Sequence, residues 1–274
     1  MTLSLAEYLT GPRGSDPPRV WLESSGYARR LLLGPGGDPW AEGAAKYLQF
    51  LTQACGLLRP DVVTVNLGEL FRSWLSRHPD LVSDMGAKKR ATYPLRRMLE
   101  EQGPRDLLDE VCGAVANSLG GQAPLVLSMP SPHDWLRETA EITGRDFDTE
   151  DLDASEDAAM YMADFIRCVS TRPLSGLLLE EGGAPGPADR YTPVLNAARH
   201  YRWAVAGRNI TAGQEALFDL AIGTGPDVQG LDVGTVLFAG GPVPPLSGGA
   251  FYYAKVPETH APEQVLDALK RLRM

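Results

Sequence analysis

Short, continuously apolar runs recur along this 274-residue chain, and most are followed by text with helical spacing. A strand that is apolar on both faces has to be covered on both faces, which is the pattern of parallel strands wrapped by helices. Eight such runs can be read: "RVWLESSG" (19–26), "DVVTVNLG" (61–68), "PLVLSMP" (124–130), "LSGLLLEEG" (174–182), "RWAVAGR" (202–208), "DLAIGTG" (219–225), "TVLFAGG" (235–241) and "FYYAKVP" (251–257). Between them lie a helix over 40–58, a long helical tract over 69–119 divided near Pro79 and 83–94, and a helix over 155–170 with a cap-like start at Ser155. A last helix covers 261–273, with Pro262 where a first turn accepts proline. This succession predicts a single α/β domain over 1–274, a (β/α)8 TIM-type barrel. It is somewhat irregular, because two later connections are too short for full helices. An open doubly wound sheet is the competing fold, but its glycine fingerprint after the first strand is missing.

Charge narrows the function. The net charge of −9 argues against a surface built to attract phosphates, and so against a nucleic-acid binder. Lys88, Lys89, Arg90, Arg96 and Arg97 read as the wet face of a helix. No stretch approaches the roughly 20 apolar residues of a membrane helix, and the first residues lack a charged-then-apolar leader. Cys55, Cys112 and Cys168 are odd in number and far apart, which favours reduced thiols over a disulfide frame. The expectation is a cytoplasmic protein without metal or cofactor, acting on a small molecule.

In a TIM-type barrel the reactive groups gather at the C-terminal ends of the strands. The segment "PLVLSMPSPHDWL" (124–136) leaves a strand through two prolines and a cluster of polar groups, so Ser128, Ser131 and His133 are candidates there. Other strand ends supply Glu23, Asn66, Glu180, Arg208 and Lys255. Glu180 and Glu181 are adjacent on one strand, so only one of them can face the barrel axis. Glu180 and His133 are the acid–base candidates, and Arg208, Lys255, Asn66, Ser128, Ser131 and Glu23 the substrate-binding ones. Each has a plainer reading: His133, Ser128 and Ser131 suit a turn or a helix cap, and a cation at a strand end can simply answer a neighbouring acid.

From residue 124 onward, "PLVLSMPSPHDWL", "SEDAAMYMADFIRCVSTRPLSGLLLEEG" and "FYYAKVPETHAPEQVLDALKRLR" resemble, in order and character, the uroporphyrinogen decarboxylase and cobalamin-independent methionine synthase superfamily of barrels. The resemblance implies decarboxylation or one-carbon transfer at the barrel mouth. The sequence departs from both branches. Asn66 stands near the place of the decarboxylases' aspartate, Ala254-Lys255-Val256 replaces a Gly-His-Gly motif, and the methyltransferases' His-x-Cys is missing. The expectation is therefore a cofactor-free enzyme using lyase or decarboxylase-type acid–base chemistry on a small carboxylated metabolite. A methyl or one-carbon transferase and a non-catalytic metabolite-binding barrel are the alternatives.

Overall fold

The computed structural model describes residues 4–12, 14, 16–148, 151–182, 188–210, 213–225 and 227–273. Eight parallel strands form one sheet in the order β1-β8-β7-β6-β5-β4-β3-β2, and the sheet curls into a nearly closed barrel with helices outside. The strands are β1 (Val20–Glu23), β2 (Val63–Asn66), β3 (Leu125–Pro130), β4 (Gly176–Glu180), β5 (Ala204–Arg208), β6 (Leu220–Gly223), β7 (Gly230–Asp232) and β8 (Phe251–Lys255). After α1 (Leu5–Thr10) and β1 come α2 (Ser25–Leu33) and α3 (Ala44–Leu58). Between β2 and β3 lie α4 (Leu67–Arg77), α5 (Pro79–Met85), α6 (Tyr93–Leu99) and α7 (Gln102–Leu119). Then follow α8 (Pro132–Ile142) and α9 (Leu152–Ile166) before β4, α10 (Thr192–His200) before β5, α11 (Gly234–Phe238) before β8, and the closing α12 (Pro262–Leu272).

Side chains alternate along each strand, so one set packs the barrel axis and the other meets the helices. The inner set includes Trp21, Val126, Leu178, Ala206, Leu220, Ile222, Phe251 and Tyr253, all buried. Leu5 and Leu9 of α1 join this cluster and close the N-terminal end of the barrel. A Cβ on Gly176, at the start of β4, would lie 2.8 Å from Leu5 Cδ2 and 2.4 Å from the Ala204 carbonyl oxygen, so glycine lets the plug seat. The outer set, including Leu125, Leu127, Leu177, Leu179 and Val205, packs with Trp135, Met162 and Phe165 of the surrounding helices. None of the described helices is long and apolar enough to cross a membrane.

Closure is incomplete at one place. β1 and β2 are the ends of the strand order and share no ladder. The seam is spanned by a main-chain bond from Asp61 N to Val20 O (3.1 Å) and by Asp61 Oδ2, which accepts from Val20 N (2.7 Å). Trp21 Nε1 donates to Thr64 Oγ1 (3.0 Å) across the same gap.

Several elements differ from the sequence reading. The seventh strand is "GLD" at 230–232, and much of the apolar run at 235–241 is the helix α11 instead. A three-residue strand carries too little text to show a period, while Val233 and Leu237 bury the inner side of α11 against β8 and α12. The tract over 69–119 holds four helices rather than two, and the helix expected from residue 40 begins at Ala44, after Gly43 at φ 87°. Asp151, not Ser155, caps α9, accepting from Ala154 N (2.9 Å).

Asp61→Ala removes the side-chain acceptor that Val20 N has at the seam. It is expected to destabilise the protein by about 1–3 kcal/mol in urea unfolding, the usual cost of orphaning a buried donor. An unchanged midpoint would mean that the seam does not depend on this carboxylate.

Candidate functional site

The register carries the inner face up to the C-terminal rim. Residues two beyond Trp21, Val126, Leu178, Ala206 and Tyr253 are Glu23, Ser128, Glu180, Arg208 and Lys255, so all five face the axis at the mouth. Asn66 joins them as the register partner of Ser128, and Asp232 as the partner of Tyr253. Glu180 lies directly opposite Arg208, and Glu23 opposite Lys255.

Arg208 organises one side of this ring. Its Nη2 and Nε reach Asp232 Oδ2 at 2.9 and 3.1 Å, and Nη1 donates to Glu180 Oε2 at 3.2 Å. The guanidinium also stands over the Tyr253 ring, 4.9 Å from its centroid. Burial opposes the charge, but Tyr253, Asp232 and Glu180 outweigh it and raise the pKa of Arg208 further. A cation already answered by two carboxylates is a poor anchor for an incoming anion. Its effect is to fix Glu180 at the mouth.

The opposite side brings two carboxyls onto one hydroxyl. Ser25 Oγ lies 2.8 Å from Glu23 Oε1 and 2.7 Å from Glu69 Oε1. One hydroxyl carries one proton, so both contacts can be hydrogen bonds only if a carboxyl donates to the other side of the oxygen. The Glu23 carboxyl is pushed up to about 7, first by burial and then by the charges of Glu180 and Glu69. Glu69 is raised too, chiefly by burial, against the pull of Ser25 and Arg72.

Beside Arg208 opens a cleft of about 270 Å³ whose lining includes Asn66, Arg72, Glu138, Glu180, Arg208 and Lys255, whereas Glu23 and Ser25 line a separate, smaller cavity. Among the described residues, Arg72 and Lys255 have no carboxylate within ion-pair distance, and both are exposed. Below the rim, the hydroxyls of buried Ser128 and Tyr253 have no hydrogen-bond partner among the described residues.

The other expected residues are placed differently. Asn66 serves first as the cap of α4, accepting from Glu69 N (3.0 Å). Ser131 caps α8 and donates to Asp134 Oδ2 (2.9 Å), which in turn accepts from Gly182 N (2.8 Å). His133 is not brought to the mouth: its buried ring packs against Phe147, and its Nδ1 lies 3.4 Å from Ser155 Oγ. Glu180 is the inward member of its pair. Glu181 faces out and forms a buried ion pair with Arg190 at 2.5 Å. Residues 83–94 finish α5, turn and begin α6, where Arg145 Nη2 donates to Gly86 O (2.8 Å).

Three participants were not expected: Asp232, Glu69 and Arg72. Asp232 ends the strand that was misplaced. Glu69 and Arg72 follow Asn66 at successive steps of three along α4, and that spacing puts them on one face of the helix above a strand end. All three cysteines lie in helices or helical turns outside the barrel, and burial raises their thiols, Cys55 to about 11 and Cys168 to about 12.

Glu23 has a higher pKa folded than its ordinary value of 4.5, so folding binds its proton more tightly. Its stabilisation is complete below about pH 4.5 and is lost as pH rises through about 7. Glu23→Gln keeps an acceptor for Ser25 and cannot ionise. Its melting temperature is expected to exceed that of the unmodified protein at pH 8, with the gap closing towards pH 5; a gap independent of pH would show that Glu23 does not hold the proton. No protein-family model matches the chain and a comparison with curated proteins finds no match, so the function of this mouth is read from its own chemistry.

Proposed function

We propose that the protein is a barrel enzyme that binds a small carboxylated metabolite at its mouth and acts on it by lyase or decarboxylase-type acid–base chemistry. The observation that carries this reading is the presence at the mouth of two cations with no ion pair among the described residues, Arg72 and Lys255, and of a carboxyl whose pKa is raised to about 7, Glu23. A general acid works best with a pKa near the operating pH. Lys255 stands opposite Glu23 in the β1–β8 register, one strand away, although Glu23 is buried in the wall of a separate cavity and has to be reached from the cleft.

The roles follow from the surroundings of each group. Lys255 and Arg72 hold the substrate carboxylate or the negative charge that develops on it. Loss of carbon dioxide leaves the bonding electron pair on carbon, and Glu23 supplies the proton that quenches it. Solvent then reprotonates the Glu23 carboxylate. Glu180, held by Arg208, is the acceptor for a proton leaving the substrate in an elimination. The segment order that resembles the uroporphyrinogen decarboxylase and methionine synthase superfamily fits the same reading. The alternative of methyl transfer has no thiolate at the mouth, since no cysteine lines the cleft. An open, charged cleft is also unlike the sealed apolar mouth expected of a non-catalytic barrel.

A thermal-shift and calorimetric screen of mono- and dicarboxylic acids tests the proposal, since a ligand of the folded state raises its melting temperature by mass action. Stabilisation by a small acid is expected, with Lys255→Met and Arg72→Met each weakening it roughly 10- to 100-fold, as the loss of a charged hydrogen bond implies. Absence of binding by any carboxylate, or binding untouched in the double variant, would overturn it.

A further inference from the structure

The charged cleft has a neighbour of opposite character. A second cavity of about 200 Å³ lies between α4 and α8, lined by Phe71, Leu75, Met98, Trp135 and Ile142. Gly68, Arg72 and Glu138 line both cavities, so the two meet along that line.

The annex offers few free polar groups beyond the junction. Thr139 is in its wall, but its hydroxyl proton is directed to the carbonyl oxygens of Trp135 and Leu136, each at 3.0 Å. Glu141, also in the wall, is paired with Arg137 at 2.8 Å. At the junction, Gly68 stands in the first turn of α4, where glycine is about 1 kcal/mol worse than alanine. A Cβ there would lie 3.2 Å from Asn66 Oδ1 and 3.6 Å from Arg72 Nη2, narrowing the space where the cavities join. Glu138 crosses the same line as a carboxyl raised chiefly by burial, with Arg72 and Arg137 opposing.

We infer that the cleft and the annex form one amphiphilic site. It takes a carboxylate whose head is held by Lys255 and Arg72 and whose apolar substituent, of phenyl or branched-alkyl size, passes Gly68 into the α4–α8 cavity. The size is set by volume: an apolar cavity of about 150 Å³ accommodates benzene, so 200 Å³ takes a ring or a short branched chain but not a long acyl tail. The inference rests on the mouth being an anion site and adds the class of carboxylate that it selects.

The test is calorimetry with n-alkanoates from acetate to octanoate, and with 3-phenylpropionate, on the unmodified protein and on Ile142→Glu. Ile142 is 43% exposed at the outer lip of the annex, so the change places a charge there without opening the core. Affinity is expected to rise about three- to fourfold per methylene until the annex is filled, and then to level off. Ile142→Glu is expected to abolish that gain while leaving acetate binding unchanged. If short acids bind but affinity is flat along the series, the inference fails and the anion site stands. A gain that persists in Ile142→Glu also overturns it, because the tail then lies elsewhere. If no acid of any length binds, the reading of the mouth fails and takes the inference with it.

Discussion

The mouth depends on β1 and β2 standing side by side without a backbone ladder between them. Parallel strands leave unpaired donors and acceptors along any open edge, and burying such an edge unanswered is costly. Here a single main-chain bond, from Asp61 N to Val20 O, and several side chains replace the missing ladder. Asp61 takes the Val20 amide low in the seam, Trp21 reaches Thr64 in the middle, and the Glu23–Ser25–Glu69 chain crosses at the top. Glu23 and Ser25 follow from β1, while Glu69 follows from β2, so the hydroxyl that joins two carboxyls also joins the two ends of the sheet. The feature that closes the barrel and the feature that holds a proton at its mouth are the same contact.

Charge brought to the top of an apolar barrel has to be paired, neutralised or left in water. All three outcomes occur within one ring of residues. Arg208 is paired, by Asp232 and Glu180. Glu23, 5% exposed, has its carboxyl pushed up to about 7. Lys255 and Arg72 stay exposed at the rim. The division leaves Lys255 and Arg72 without ion pairs among the described residues, raises the pKa of the buried Glu23, and fixes Glu180 through Arg208.

Legibility followed the length of the text. Strands of four to six apolar residues such as "VWLE", "LVLSMP" and "GLLLE" were found in place, and their end residues Glu23, Glu180, Arg208 and Lys255 do face the mouth. β7 was misplaced because three residues with a glycine at the head carry no apolar signal; Gly230 is there for the Phe251 ring, which a Cβ would meet at 2.6 Å. His133 was drawn to the mouth by its position just past a strand. Yet Pro132 and the Ser131 cap start α8 at once, and the helix turns the ring outward to Phe147.

By itself the sequence determined the barrel class and which strand ends carry charge, because apolar runs and two-residue alternation are properties of neighbours along the chain. It also determined that only one of Glu180 and Glu181 could face inward. Only the tertiary structure decided that the inward one is Glu180, that Arg208 is already occupied by Asp232, and that Glu23 shares a hydroxyl with Glu69. Each of these depends on register between strands or on helices distant in sequence: Arg208 and Asp232 are 24 residues apart, Ser25 and Glu69 44. A pKa or an ion pair is set by what closes around a group in space, and that distance is written nowhere in the local text.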